Sequence, residues 1–141
     1  MTLSGAYEMM QQNPKVYQTA AAAQPPKTTL TTIIVDIPRT FPENVQFSQA
    51  QGKGDKLQAL QQILKAFAVA FPKIGYCQGL NCVAAALLLA MQGVPEAEAE
   101  ERAFWLLYAL SHHIVPKYYS DSMVDVRVDC LVFEELLKRL L

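Results

Sequence analysis

The spacing of apolar residues near the middle of the chain predicts a helix with one buried face. Over residues 55–71 the apolar positions recur at steps of three and four, which places them on a single side of a helix. They are Leu57, Leu60, Leu64, Phe67 and Phe71. Pro72 then ends the segment, because proline lacks the N–H that a helix needs. We therefore expect this stripe to pack in the core.

The most hydrophobic segment covers residues 79–91 and predicts a helix that is buried on nearly all sides. Its length of about a dozen residues is well below the roughly 20 that a membrane-spanning helix needs. Gly93 follows as a stop signal. Asn81 lies on this helix, and an amide in a buried position needs hydrogen-bond partners.

Two further helices are predicted in the last third of the chain. Residues 96–110 begin with acidic side chains, and four larger residues are expected to point inward: Phe104, Trp105, Leu107 and Tyr108. Residues 125–141 carry an apolar stripe at helical spacing: Val128, Leu131, Val132, Leu136 and Leu140.

The first part of the chain has weaker patterns. Residues 4–12 predict a helix that ends before Pro14, and residues 15–23 predict a short second helix that ends before Pro25. Residues 28–35 are rich in β-branched side chains, and propensity alone favours a strand there. A lone strand would have no pairing partner, because the later segments all favour helices.

Composition adds two constraints. The chain has 141 residues, of which 52% are hydrophobic and 18% are charged, whereas a charged share of about 25% is usual. These values fit one compact domain that has either a large core or an exposed apolar surface. A net charge of −1 excludes the basic footprint that is typical of binding to nucleic acid or to an anionic membrane.

The cysteines and histidines do not predict a metal site. Cys77, Cys82 and Cys130 form no C-x-x-C pair and have no histidine at zinc-ligand spacing. We interpret them as reduced, mostly buried thiols of a cytosolic protein. His112 and His113 are adjacent and point in different directions, so charge compensation at a helix end is the favoured interpretation for them.

One arginine lies in an unusual local setting. Asp36 precedes Arg39 by three residues, and on a helical turn this spacing places both side chains on one face, where the carboxylate can orient the guanidinium. Pro38 fixes its own φ and disfavours the α region for Ile37, so a helix that carries Asp36 should loosen and leave Arg39 at its exit. Taken alone, this spacing more often marks an ordinary surface ion pair worth about 0 to 1 kcal/mol.

A second segment sets a glutamine between two glycines just before the most hydrophobic helix: Gly75-Tyr76-Cys77-Gln78-Gly79-Leu80-Asn81. Together the two segments resemble the TBC domain, the GTPase-activating domain that acts on Rab-family GTPases. The first motif of that family, Ile-x-x-Asp-x-x-Arg, is matched by Ile33, Asp36 and Arg39. Its second motif, Tyr-x-Gln in a glycine-rich context, is matched by Tyr76, Gln78, Gly79 and Asn81. The resemblance implies that Arg39 and Gln78 are catalytic and that the other matched residues support them.

The resemblance also implies an all-α fold, an irregular multi-helix domain, and it favours a helix over residues 28–35. Residues 1–141 would form a single helical domain, the N-terminal part of a TBC fold truncated at its C-terminus. The last helix would then expose its apolar stripe, and self-association through that face is expected.

The activity implied by the resemblance is that of an activator of a partner GTPase, not of a stand-alone hydrolase. Arg39 would enter the partner's site as a trans arginine finger, and Gln78 would position the attacking water in place of the partner's own glutamine. Asp36 would hold Arg39, and Tyr76 would hold the turn of Gln78. The partner, a Rab-family GTPase in its GTP-bound state, would carry GTP and Mg²⁺, so no cofactor or metal is expected on this chain.

Two other functions stay open on the sequence alone. One is a helical module that binds a Rab or another helix without accelerating hydrolysis. The other is a structural fragment that needs further chain before it can act. For the activator we expect a cytoplasmic protein that has a role in vesicle trafficking, that reaches membranes only peripherally through its GTPase partner, and that does not insert into them.

Overall fold

The computed structural model describes residues 3–48, 55–119 and 123–141. Its α-helices, in chain order, are α1 (Leu3–Gln12), α2 (Val16–Ala22), α3 (Lys27–Asp36), α4 (Asp55–Ala70), α5 (Leu80–Ala90), α6 (Glu96–Ala109) and α7 (Val124–Leu140). A 3₁₀ turn, Ile37–Arg39, continues α3, and a π-helical turn, Leu110–Ile114, continues α6. These described ranges contain no strand, so the prediction of an all-α fold is confirmed.

Residues 28–35 are helical, as the resemblance implied, despite their β-branched side chains. The hydroxyls of Thr31 and Thr32 donate to the carbonyl oxygens of Lys27 and Thr28, one turn earlier, at 2.9 and 3.1 Å. Bonds of this kind satisfy a threonine hydroxyl inside a helix. Ile33 is fully buried in the core, and this packing offsets the low intrinsic helix propensity of the segment.

The central helix of the fold is α4. It packs against α2, α3, α5 and α6, while α1 packs against α6. Leu60, Leu64 and Phe67 from the predicted stripe are buried, and Leu57 and Phe71 are partly buried against the same core. The predicted core stripe is therefore confirmed.

One side of α5 is open to solvent, which corrects the prediction of a helix buried on nearly all sides. Leu80, Ala84 and Leu88 are buried, whereas Cys82 and Ala86 are exposed. The reason is that α5 contacts α4 and α6 on one side, and no other described helix covers the opposite side.

The prediction that the cysteines are mostly buried is also wrong. Cys77 is partly buried, while Cys82 and Cys130 are exposed, and all three are free thiols. Cys82 lies on the open side of α5 and Cys130 lies on α7, so the position of each helix determined the exposure of its cysteine.

The π-helical turn after α6 places His112 in an aromatic cluster. Its ring stacks on Tyr108 with centroids 4.2 Å apart and meets Phe71 at 5.0 Å. Burial lowers the pKa of His112, and the contact of its Nδ1 with the carbonyl oxygen of Tyr108 at 3.2 Å opposes this shift. The neutral imidazole is therefore favoured, which argues against the interpretation of His112 as a charge at a helix end.

Apolar side chains are exposed along the whole of α7. The helix has no buried residue, and Tyr118 in the preceding turn donates a hydrogen bond to the carboxylate of Asp129. All members of the predicted stripe are exposed: Val128, Leu131, Val132, Leu136 and Leu140.

Within the described ranges, neither α7 nor any other helix has the length and apolar character needed to cross a membrane.

Candidate functional site

The arginine segment begins where α3 ends. Asp36 is the last residue of α3, and the backbone then tightens into the 3₁₀ turn that contains Pro38 and Arg39. The predicted departure of Ile37 from the α region is wrong, because Ile37 keeps αR angles (φ −52°, ψ −52°), but α3 does end here, and Arg39 lies at its exit with an exposed side chain. No described residue forms a hydrogen bond or an ion pair with the Arg39 side chain. Its guanidinium is therefore available to another molecule.

The chain reverses its direction directly after Arg39. Phe41 adopts a left-handed conformation with φ of 46°, which is uncommon for a residue that carries a side chain. Its ring packs edge-on against the buried ring of Phe47, with centroids 6.1 Å apart. This contact holds the turn in a strained conformation next to the arginine, and such strain concentrates at functional segments.

The glutamine lies on a turn that two glycines make possible. Gly75 and Gly79 have φ values of 60° and 103°, a region that residues with a Cβ atom rarely adopt. Gln78 is exposed between them, and its side-chain amide has no partner in the part of the chain that the structure describes. Gly79 is also the N-cap of α5. The backbone therefore presents the Gln78 amide at the start of a packed helix.

Two hydrogen bonds join the arginine segment to the glutamine turn. The hydroxyl of Tyr76 donates to Asp36 Oδ2 at 2.8 Å, and Asn81 Nδ2 donates to Thr40 Oγ1 at 2.8 Å. Asp36 and Asn81 are each 6% exposed, and Thr40 is fully buried. The bonded residues are separated by 40 and 41 positions in the sequence, so tertiary packing is what makes the two motifs neighbours.

The expected pairing of Asp36 with Arg39 is wrong. Among the described residues no ion pair forms between them, and the Asp36 carboxylate accepts the hydrogen bond from Tyr76 instead. Asp36 is buried at the end of α3, while the tighter 3₁₀ turn leaves Arg39 exposed, so the two side chains diverge. Tyr76 thereby attaches the chain next to Gln78 to the end of α3.

Asn81 obtains the partners that its burial requires, as predicted. In addition to its bond to Thr40, its Oδ1 accepts a hydrogen bond from the Gly79 N–H at 3.1 Å. Sequence reasoning missed Thr40, although the need of a buried asparagine for a polar partner was the signal that pointed to such a residue. Ile33, the first residue of the arginine motif, is fully buried and anchors α3 in the core.

The protonation state of Tyr76 fits its position as a donor. Burial raises the pKa of its hydroxyl far above the usual range, and the hydrogen bond to the Asp36 carboxylate raises it further. The hydroxyl therefore keeps its proton at all physiological pH values and remains available to Asp36.

The chemistry offered by this site is that of a cation and an amide. The described residues include no cluster of three histidine, cysteine, aspartate or glutamate side chains that could hold a metal ion. Arg39 can neutralise negative charge, and the Gln78 amide can both donate and accept a hydrogen bond. Both side chains are exposed to solvent.

Comparison with known proteins agrees with the resemblance to the TBC domain. The family model of the Rab-GTPase-TBC domain matches residues 1–141. Growth hormone-regulated TBC protein 1 of Homo sapiens is 36% identical over 138 residues, which are 98% of this chain and 39% of that protein. Growth hormone-regulated TBC protein 1-A of Danio rerio is 35% identical over 98% of this chain and 37% of its own length.

Carabin of Mus musculus is 38% identical over 97% of this chain and 29% of its own length. The chain therefore spans less than two fifths of each of these three relatives. No solved structure matches the chain.

Proposed function

The chain belongs to the Rab-GTPase-TBC domain family, and on this basis we propose that it accelerates GTP hydrolysis by a Rab-family GTPase. One observation carries the proposal. Arg39 and Gln78 present exposed side chains that have no partner in the described chain, and two hydrogen bonds, one of them buried, join the two segments that carry them.

Arg39 acts in this proposal as an arginine finger. Negative charge builds up on the γ-phosphate oxygens during hydrolysis, and a guanidinium suits this charge because it is planar, always positive and able to donate two parallel hydrogen bonds. A trans arginine accounts for a factor of about 10³ to 10⁵ in rate, or roughly 4 to 7 kcal/mol of barrier. The absence of an internal partner within the described residues supports the role, because Arg39 has no ion pair with a described residue that would have to break first.

Gln78 positions the attacking water in the same proposal. Its amide accepts a hydrogen bond from the water and donates one to the phosphate side, which is the task of the catalytic glutamine in many GTPases. The two flanking glycines support this role, because their left-handed backbone fixes the turn that exposes the amide.

The partner supplies everything else that the reaction needs. The Rab-family GTPase carries GTP and Mg²⁺ and meets this chain in its GTP-bound state, so the chain is an activator and not a hydrolase by itself. It acts from the cytoplasm and reaches membranes peripherally through the GTPase, in vesicle trafficking.

The test is single-turnover GTP hydrolysis with a panel of Rab GTPases, each as wild type and with its own catalytic glutamine replaced by alanine. The chain is assayed alone and joined to the remaining length of its human relative. If Gln78 provides the missing amide, glutamine-deficient Rabs are still stimulated. An activator that supplies only an arginine fails on them, because water placement is then left to the GTPase.

The variants Arg39→Ala and Gln78→Ala complete this test. Each should lower the stimulated rate by a comparable factor, and the double variant should lose less than the product of the two, since residues that act as one unit are not additive. Stable binding without stimulation of any Rab, wild type or variant, by the longer protein contradicts the proposal and favours a binding module.

We further propose that the chain associates with a second copy of itself through α7. Its apolar side chains reach 66% exposure at Leu131 and 81% at Leu140. Exposed apolar surface of this extent favours association in water. A helix that is apolar on more than one side is usually covered by other protein.

A further inference from the structure

We propose that Thr40 is a positioning residue that sets Arg39 and Gln78 in a common geometry. The inference rests on the proposed function, since it concerns how the two side chains reach the partner together. It starts from the position of Thr40, which directly follows Arg39 and is nevertheless fully buried.

The Thr40 hydroxyl uses both of its hydrogen-bonding capacities. It donates to the carbonyl oxygen of Asp36 at 2.9 Å and accepts from Asn81 Nδ2 at 2.8 Å. The first bond closes the turn around Arg39, and the second crosses to α5. A valine at this position would have nearly the same shape and could make neither bond.

Asn81 continues the connection towards the glutamine. Its Oδ1 accepts from the N–H of Gly79, the residue directly after Gln78, at 3.1 Å. Arg39 and Gln78 are thus each covalently attached to a residue of one chain of hydrogen bonds that runs from buried Thr40 through buried Asn81 to exposed Gly79. The bond between Asn81 and Thr40 is strong, because no water competes for its donor and acceptor in the interior.

The second link between the two segments lies further from both functional side chains. Tyr76 and Asp36 meet two residues before Gln78 and three residues before Arg39, and Tyr76 is only partly buried. The hydrogen bond from Tyr76 to Asp36 holds the two segments together. The hydrogen bond from Asn81 to Thr40 lies closer to the side chains that act, because Thr40 directly follows Arg39. Misplacement of a catalytic group by about 1 Å lowers rates by about 10²-fold. Loss of the Thr40 hydroxyl should therefore lower the maximal rate more than the affinity for the partner.

The test compares Thr40→Val with Thr40→Ser in the protein joined to the remaining length of its human relative. Thr40→Val removes the hydroxyl and should lower the maximal stimulated rate by about 10- to 100-fold. The concentration that gives half-maximal stimulation should change by less than about threefold, since Thr40 is buried and does not touch the partner. Thr40→Ser keeps the hydroxyl and should retain most of the rate.

The matched control is Thr31→Val. Thr31 also donates to a carbonyl oxygen four residues earlier, but its side chain is exposed and bonds nothing on α5. This variant should leave both kinetic parameters unchanged. If Thr40→Val and Thr40→Ser lower the maximal stimulated rate equally, the proposal is overturned, because Thr40 would then act only through its packing. A change in the concentration that gives half-maximal stimulation, with no change in the maximal rate, overturns it as well.

A second measurement needs no GTPase. Thr40→Val leaves Asn81 Nδ2 without its partner, so the amide of Gly79 should exchange its hydrogen faster, while exchange in the core of α4 stays unchanged. Unchanged Gly79 exchange overturns the positioning role. If wild type stimulates no Rab but Gly79 responds, the coupling of the two segments stands and only the proposed function fails.

Discussion

The hydroxyl of Tyr76 donates a 2.8 Å hydrogen bond to the carboxylate of Asp36, although the two residues lie 40 positions apart. Asp36 is buried, and a buried carboxylate needs hydrogen bonds to replace the water that it has lost. This bond therefore connects the stability of the fold with the geometry of the site.

Removal of the Tyr76 hydroxyl should be destabilising. In Tyr76→Phe the buried carboxylate of Asp36 loses a donor, and we expect the free energy of unfolding to fall by about 1 to 3 kcal/mol. Urea denaturation followed by circular dichroism measures this change. Tyr7→Phe is the control, because Tyr7 is exposed and its hydroxyl bonds only Gln11 on the same helix. The free energy of unfolding of Tyr7→Phe should stay within about 0.5 kcal/mol of the wild-type value. A Tyr76→Phe variant that is as stable as wild type would contradict the prediction.

Replacement of Arg39 should abolish stimulation without unfolding the protein. Because its side chain is exposed and without a partner in the described chain, Arg39→Ala and Arg39→Lys should both keep the wild-type circular dichroism spectrum and thermal transition. Both should lose nearly all stimulated hydrolysis in a single-turnover assay, since lysine offers a point charge in place of a planar fork. If lysine retained more than about a tenth of the activity, simple charge neutralisation would explain the role better.

The exposed face of α7 should make the chain self-associate or bind a hydrophobic dye. Light scattering at increasing concentration and dye fluorescence measure the two effects. Leu131→Glu combined with Leu140→Glu should reduce both, because charge on the exposed stripe opposes association. Glu134→Gln, a polar change on the same helix, is the control and should leave association unchanged. A clean monomer at high concentration without dye binding contradicts the proposal.

Acid should destabilise the fold through His112. Burial lowers its folded-state pKa below the unfolded value of about 6.5, so the unfolded chain binds a proton more readily. The contribution of the neutral ring is fully present above about pH 6.5 and is lost as the pH falls through the folded-state pKa. His112→Gln should flatten the dependence of thermal stability on pH between about 7.5 and 5.

The control for this experiment is His113→Gln. His113 is exposed and acts on His112 only through a smaller charge effect. This variant should therefore retain most of the wild-type pH dependence. If thermal stability depended on pH in His112→Gln as strongly as in wild type, groups other than His112 would be responsible for the acid sensitivity.

Local patterns in the sequence predict most of the helices and their ends, with residues 28–35 as the exception, because their β-branched side chains favour a strand. The stripe of α4, the end of α3 next to Pro38, and the glycines around Gln78 all depend on interactions within about four residues of chain. Backbone constraints and helical periodicity act at this range, so a single sequence contains them. The two motifs were visible for the same reason.

The packing of the helices against one another sets which side chains meet and which face solvent. Local spacing suggested a pair of Asp36 with Arg39. In the folded chain α3 and α5 both pack on α4, and Asp36 accepts a hydrogen bond from Tyr76 while Asn81 donates one to Thr40. The open side of α5 depends in the same way on which helices lie beside it. Neighbouring helices, and not the spacing of residues along the sequence, determine how far a side chain is exposed to solvent. Contacts across 40 residues follow from how helices pack, and no local pattern in one sequence specifies them.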